Sequence, residues 1–206
     1  MGTRRELLQL SSLAAAAALS PKIALGQTPP PSNPATKKLN ILGGTGVTGP
    51  NHVSCALARG HNITLFNQGR KRKEWPGAVE ELIGDRDTGD VAALKGRKWD
   101  VCIDNPSSVP FWVRDVGEVL NGNVKHYIFI STISVYASDN RIGADESAAT
   151  HTFAGKDPFA ETMTSLLADT NLYGPLKAAC EVQVKNYFGA KTTIIRPGFI
   201  VGPDDP

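Results

Sequence analysis

The sequence predicts an α/β fold, a doubly wound parallel sheet with helices on both faces. Three observations lead there. Short apolar runs alternate with stretches whose apolar residues recur at helical spacing. A glycine cluster, Gly43-Gly44-Thr45-Gly46-Val47-Thr48-Gly49, joins the first run to the first helical stretch. Polar residues with chemical potential sit just past the ends of the runs, the place where parallel sheets bind ligands.

The chain has 206 residues, enough for one domain with a real core. Formal net charge is +2; three of the 22 basic residues and one of the 20 acidic ones fall in the first 26 positions, so the remainder is balanced. Such a balance gives no bulk attraction to nucleic acid or anionic membrane, and neither is expected as a partner. Residues 1–26 read as an export signal. Arg4-Arg5 precedes an alanine-rich apolar stretch from Leu7 to Leu19, and Ala24-Leu25-Gly26 offers small residues for cleavage. This order resembles a twin-arginine signal, which implies a periplasmic location, or a cytoplasmic one where the signal does not function. The apolar run is short of the roughly 20 residues a stable span needs. Residues 27–37, with Pro29, Pro30, Pro31 and Pro34, read as an extended linker. The folded domain is expected over 38–206. Cys55, Cys102 and Cys180 lack metal-ligand spacing, and an odd count at core-type positions points to buried free thiols. His52, His61, His126 and His151 are scattered, so no metal site is expected.

Lys38 to Leu42 is the first strand, and Asn51 to Arg59, with Val53, Ala56 and Leu57 in register, the first helix. Between them the glycines let the chain turn sharply and let a phosphate approach. The unpaired amides of the helix N-terminus and its dipole favour an anion there. The spacing is Gly43-x-x-Gly46-x-x-Gly49. His61 to Phe66 is the second strand, ending at Asn67-Gln68-Gly69-Arg70. In a dinucleotide-binding sheet this strand end meets the adenosine ribose. A carboxylate there suits the 2′-hydroxyl of NAD, and an arginine suits the 2′-phosphate of NADP. Asn67 and Arg70 stand where no acid does, which favours NADP, with NAD the other option.

Val79 to Ile83 is the third strand. Asp85 beyond it has two readings, an acceptor for the adenine amino group or a helix N-cap. Asp90 is expected to cap a short helix, Val91 to Lys95. Trp99 to Asp104 is the fourth strand, apolar enough to be buried on both faces, and ends at Asn105. Phe111 to Leu120 is a helix with Val113, Val116, Val119 and Leu120 on one stripe. His126 to Ile130 is the fifth strand, running into Ser131-Thr132. Ala137 to Asn171 reads as a surface excursion with little regular structure.

Tyr173-Gly174-Pro175-Leu176-Lys177 opens the last helix, which runs to about Phe188, and Thr192 to Ile195 is the sixth strand. Tyrosine and lysine four apart share a helical face. A free phenol is a poor base at neutral pH, and a nearby ammonium favours the phenolate and lowers its pKa. Thr132, at the end of the fifth strand, is placed to hold a substrate oxygen.

These pieces together resemble the short-chain dehydrogenase/reductase superfamily, in its extended NAD-dependent epimerase/dehydratase branch. The matching residues are Gly43-x-x-Gly46-x-x-Gly49, Ser131-Thr132 ahead of Tyr136, Tyr173-Gly174-x-x-Lys177, and Ile195-Arg196-Pro197-Gly198 through Pro203. The resemblance implies a Rossmann-type sheet and a catalytic Tyr173, Lys177 and Thr132. It places Pro197 and Gly198 beside the nicotinamide. The expected cofactor contacts are Gly43, Thr45, Gly46, Val47, Thr48, Gly49, Asn67, Arg70, Asp85, Asn105, Ser131, Lys177, Pro197 and Gly198. The expected activity is NAD(P)-dependent oxidation, epimerisation or dehydration of a nucleotide sugar or another hydroxylated metabolite. A homodimer is compatible with it. Family members continue past the last motif into a smaller domain that supplies most substrate contacts. The chain ends at Pro206, so that domain is expected to be missing. The other reading is a non-catalytic NADP-binding member, a redox sensor or RNA-associated protein, which Leu65 to Arg70 resembles.

Overall fold

The computed structural model describes residues 35–201 apart from 72, 106 and 139–141. The expected signal, most of the linker, and Gly202 and Pro203 of the last motif lie outside the described residues. The rest builds six strands, β1 (Lys38–Leu42), β2 (Asn62–Asn67), β3 (Val79–Ile83), β4 (Trp99–Asp104), β5 (Val124–Ile130) and β6 (Thr192–Ile195). Four α-helices accompany them: α1 (Gly49–Ala58), α2 (Pro110–Leu120), α3 (Met163–Ala168) and α4 (Tyr173–Phe188).

The strands form one sheet in the order β3-β2-β1-β4-β5-β6, with every neighbouring pair parallel. The order reverses between β1 and β4, and the crevice above that point is where a doubly wound sheet receives a ligand. Register delivers the chemistry there. Leu42 pairs with Phe66 on one side and Asp104 on the other, and Asp104 pairs with Phe129, so the chain leaves all four strands at one level.

Strand alternation divides the core between the two faces. Leu39 and Ile41 of β1 join Ile63 and Leu65 against Val53 and Ala56 of α1. Leu42 joins Phe66, Cys102, Tyr127 and Phe129 against Val113, Val116 and Leu120 of α2 and Val184 and Phe188 of α4. Tyr127 stacks on Phe188 at 4.0 Å. Each such fully buried side chain contributes about 1.5–3 kcal/mol. Helices on both faces, as expected, follow from this split.

Some expectations are corrected. The helix expected over Val91 to Lys95 is one 3-10 turn, Ala92–Leu94. Its N-cap is Val91, with no side-chain cap bond, and Asp90 only accepts from Ala92 N at 3.4 Å. The segment expected to be irregular contains α3, six residues started by a capping box between Thr162 and Ser165. Leu166 of α3 is buried with Val109 and Leu176, which anchors the excursion. Cys102 and Cys180 are buried free thiols, but Cys55 is exposed on α1. Burial pushes the Cys180 thiol up to about 12. Among the described residues no helix is long and apolar enough to cross a membrane, and no group of His, Cys, Asp or Glu could hold a metal ion.

Candidate cofactor and active site

The glycine turn begins with Gly43 at φ +74°, a left-handed conformation natural to glycine. It ends with Gly49, whose Cα lies so close to the Gly44 backbone that no Cβ could fit between them. The turn is thereby folded tightly onto the start of α1. Thr48 precedes that helix without a side-chain cap bond. Its hydroxyl instead accepts from Asn105 Nδ2 at 2.6 Å, tying the turn to the end of β4.

Gly43 and Gly46 line two cavities, one on each side of the turn. The first, about 580 Å³, brings together Val47, Thr48, Asn105, Ser131, Thr132, Tyr173, Lys177, Pro197 and Gly198, residues from five segments of the chain. The second, about 360 Å³, gathers Thr45, Asn67 and Arg70 with Arg86 and Trp112. Gly49 and Asp85 line neither.

Asp85 adopts the N-cap reading. Its carboxylate accepts from Asp87 N at 2.9 Å and from Gln68 Nε2 at 2.7 Å, with Arg70 NH2 at 3.5 Å. These donors, not a free acceptor, are what a ligand would meet there. Arg70 is largely exposed, so this ion pair is weak and its guanidinium can turn to an anion. Asn67 is buried. Its Oδ1 accepts from Gly69 N at 2.6 Å, while its Nδ2 has no partner. Reversing the amide would set donor against donor, which fixes its orientation; the Nδ2 itself is buried.

Lys177 is almost wholly buried. Its Nζ donates to Ser107 O at 2.8 Å and Ile130 O at 2.6 Å, and lies 4.5 Å from the centre of the Phe129 ring. Burial lowers its pKa. Tyr173, 36% exposed at the start of α4, has its phenol pushed up by partial burial, and a hydrogen bond with Thr132 opposes the rise. The Lys177 ammonium is turned to the two carbonyls. The expectation of a lowered phenol meets the opposite direction here: burial raises it, and Thr132 opposes the rise. Thr132 also accepts from Ser134 N at 3.1 Å, capping the 3-10 turn Ile133–Val135. The Ser131 hydroxyl donates to Glu181 at 2.6 Å.

Sequence reasoning missed a buried network under the crevice. Asp104 is fully buried and accepts from Arg86 at 2.8 Å, Tyr127 at 2.7 Å and Ser107 at 2.7 Å. The Arg86 guanidinium lies over the Trp112 ring at 4.6 Å. The signal was present: a carboxylate ending a strand buried on both faces needs a cation, and Arg86 follows β3 at the same sheet level.

The residues present fit a dinucleotide. Gly46 has only Gly43 O near the place a Cβ would take, so space is left open on the cavity side of the turn. Arg70, Lys71 and Arg86 bring cations to the second cavity, and α1 begins without a side-chain cap. Two linked cavities match the two halves of such a molecule.

No protein-family model matches the chain, and no curated protein does. Solved structures do. A UDP-galactose 4-epimerase is similar at 19% identity and a TM-score of 0.59, over 77% of this chain and 55% of that one. The Bordetella bronchiseptica enzyme WbmG, crystallised with NAD, is similar at 15% identity and a TM-score of 0.59, over 81% and 55%. Vestitone reductase from alfalfa is similar at 16% identity and a TM-score of 0.58, over 78% and 56%. The matches span little more than half the length of these proteins. Together they establish the fold, the Rossmann-type doubly wound sheet that epimerases and a reductase of known structure share.

Proposed function

We propose that this chain carries the nicotinamide-cofactor half of an oxidoreductase, epimerase or dehydratase acting by hydride transfer. The observation that carries the reading is the convergence of Tyr173, Lys177 and Thr132, from two elements, on the cavity that also contains the glycine turn. The cofactor, when bound, accepts or supplies the hydride. Gly43 to Gly49 and the start of α1 hold its pyrophosphate, and Pro197 and Gly198 flank its nicotinamide. Lys177 keeps a donor free beyond its two carbonyl bonds, available to a ribose hydroxyl. Thr132 holds the substrate oxygen and the Tyr173 hydroxyl together, and Tyr173 exchanges the proton with that oxygen.

The reading favours NADP. Arg70 and Lys71 bring cations to the second cavity, and Asn67 stands where a carboxylate would, which match the acceptor-only oxygens of a 2′-phosphate. The substrate class is a hydroxylated metabolite such as a nucleotide sugar; a WbmG structure holds NAD and UDP. The N-terminal Arg4-Arg5 pattern supports export by the twin-arginine route, which carries folded proteins, so the cofactor would be loaded first. Recovery of the protein from the periplasm with NADP bound is the expected result.

The decisive test is Tyr173→Phe. It should abolish turnover, at least about a hundredfold, while NADPH affinity stays within about twofold. Undiminished turnover would sink the mechanism. Tight NADPH binding with no turnover in the wild-type protein would favour the non-catalytic reading.

A further inference from the structure

Three places outside the assigned roles stand out: the Asp104–Arg86 network, the apolar residues beyond β6, and Glu181. Glu181 carries an inference furthest. It lies eight residues after Tyr173 and four after Lys177, on the same face of α4. It is buried, and its two oxygens are fully engaged. Oε1 accepts from Ser131 Oγ at 2.6 Å and from Arg196 Nε at 2.9 Å; Oε2 accepts from Arg196 NH2 at 2.6 Å.

Both partners are adjacent in sequence to residues of the site. Ser131 directly follows β5 and precedes Thr132. Arg196 directly follows β6 and precedes Pro197 and Gly198. The same two strand ends are laced by backbone bonds, Ser131 N to Ile195 O at 2.7 Å and Ile133 N to Pro197 O at 3.0 Å. Arg196 continues outward, donating to Glu146 O at 3.1 Å and lying over the Tyr136 ring at 4.8 Å. One carboxylate on α4 therefore meets the ends of both strands that face Tyr173 and Lys177.

We propose that Glu181 is a positioning residue: through Ser131 and Arg196 it fixes Thr132 and the Pro197–Gly198 backbone against the Tyr173–Lys177 face of α4. The bidentate, charge-assisted pair sets direction as well as distance. A shift of about 1 Å at such a site costs orders of magnitude in rate. Glutamine cannot replace it, because its amide would turn a donor toward the guanidinium. The link to a nicotinamide rests on the function proposed above; the link between the strand ends does not.

Hydrogen–deuterium exchange on the full chain tests it, with Glu181→Gln, Arg196→Met and Ser131→Ala beside the wild type. The expected result is exchange at least about tenfold faster in the peptide covering 131–136, with residues 63–66 of β2 and 113–120 of α2 unchanged. Ser131→Ala, which keeps the ion pair, should give a smaller rise in the same peptide, and it serves if Glu181→Gln does not fold. With NADPH, Glu181→Gln should keep affinity within about threefold, since the glycine turn and the second cavity are intact, and lose the change in nicotinamide fluorescence that ordering produces. Unchanged exchange at 131–136, or a uniform rise across the chain, would overturn the proposal. If the wild type binds no NADPH, the proposed function fails, and the exchange pattern still decides the role of Glu181.

Discussion

Lys177 shows what the site demands of a single residue. Its ammonium is held in a nearly closed place by two neutral carbonyls, with Asp104 and Glu181 supplying negative charge from two sides and Arg86 opposing them. Desolvation wins, and the folded pKa lies below the ordinary lysine value. The sign of the linkage follows. Between the lowered folded value and the unfolded value near 10.4, the unfolded chain binds more protons than the folded one, so stability rises with pH in that window. Below it the full cost of burying the charge is present. Lys177→Met removes this term; its other effect, a further rise of the already raised Cys180 thiol, falls above the window. Wild-type stability measured by urea unfolding should therefore gain on that of Lys177→Met as pH rises through the window. A flat or falling difference would show that the ammonium is not desolvated as the geometry implies.

At the scale of elements, the glycine turn separates structural from ligand demands. Gly49 is needed by the protein, since a methyl there would strike the Gly44 backbone. Gly46 has open space where its Cβ would go, so its smallness serves the cavity. Gly49→Ala should cost about 1–3 kcal/mol or more in urea unfolding. Gly46→Ala should unfold within about 0.5 kcal/mol of wild type and bind NADPH at least tenfold more weakly by calorimetry. The same contrast explains what the sequence made legible. β1, β3, β4, β6 and α4 lie at the residues expected, because continuous apolar runs and helical periodicity are local signals. α3 escaped because it is six residues long and opens with Thr162 and Ser165, not the usual Thr and Glu. Asp85 was open between two roles, and its capping of the turn Arg86–Thr88 settled where its oxygens point. The pairs Arg86–Asp104 and Glu181–Arg196 join residues 15 or more apart, so sheet order, not spacing, brings them together. Tyr173 and Lys177 lie in the first turns of α4 and Thr132 two residues past β5, so the local signals that locate those elements also locate the three side chains.

At the scale of the whole molecule, the crevice divides the sheet into β3-β2-β1 on one side and β4-β5-β6 on the other. The second cavity belongs mainly to the first half, and the first cavity mainly to the second, with Gly43 and Gly46 shared. A dinucleotide occupying both would join the halves across their seam, and a ligand that binds only the folded state stabilises it by mass action. At a concentration one hundred times its Kd the gain is about 2.7 kcal/mol. For a domain of this size that corresponds to a rise in Tm of about 5–10 °C. The full chain should show that rise with NADPH and a smaller one with NADH at equal concentration, because only NADPH carries the phosphate that the proposed reading sets against Arg70. Adenosine 2′,5′-bisphosphate, which fills only the second cavity, should fall below NADPH. Arg70→Ala should bring the NADPH and NADH shifts together without altering the ligand-free Tm, since Arg70 is exposed and its ion pair with Asp85 is weak. Equal shifts for the two cofactors in the wild type would remove the preference for NADP while leaving dinucleotide binding intact. No shift with either would refute the assignment of the two cavities to one cofactor.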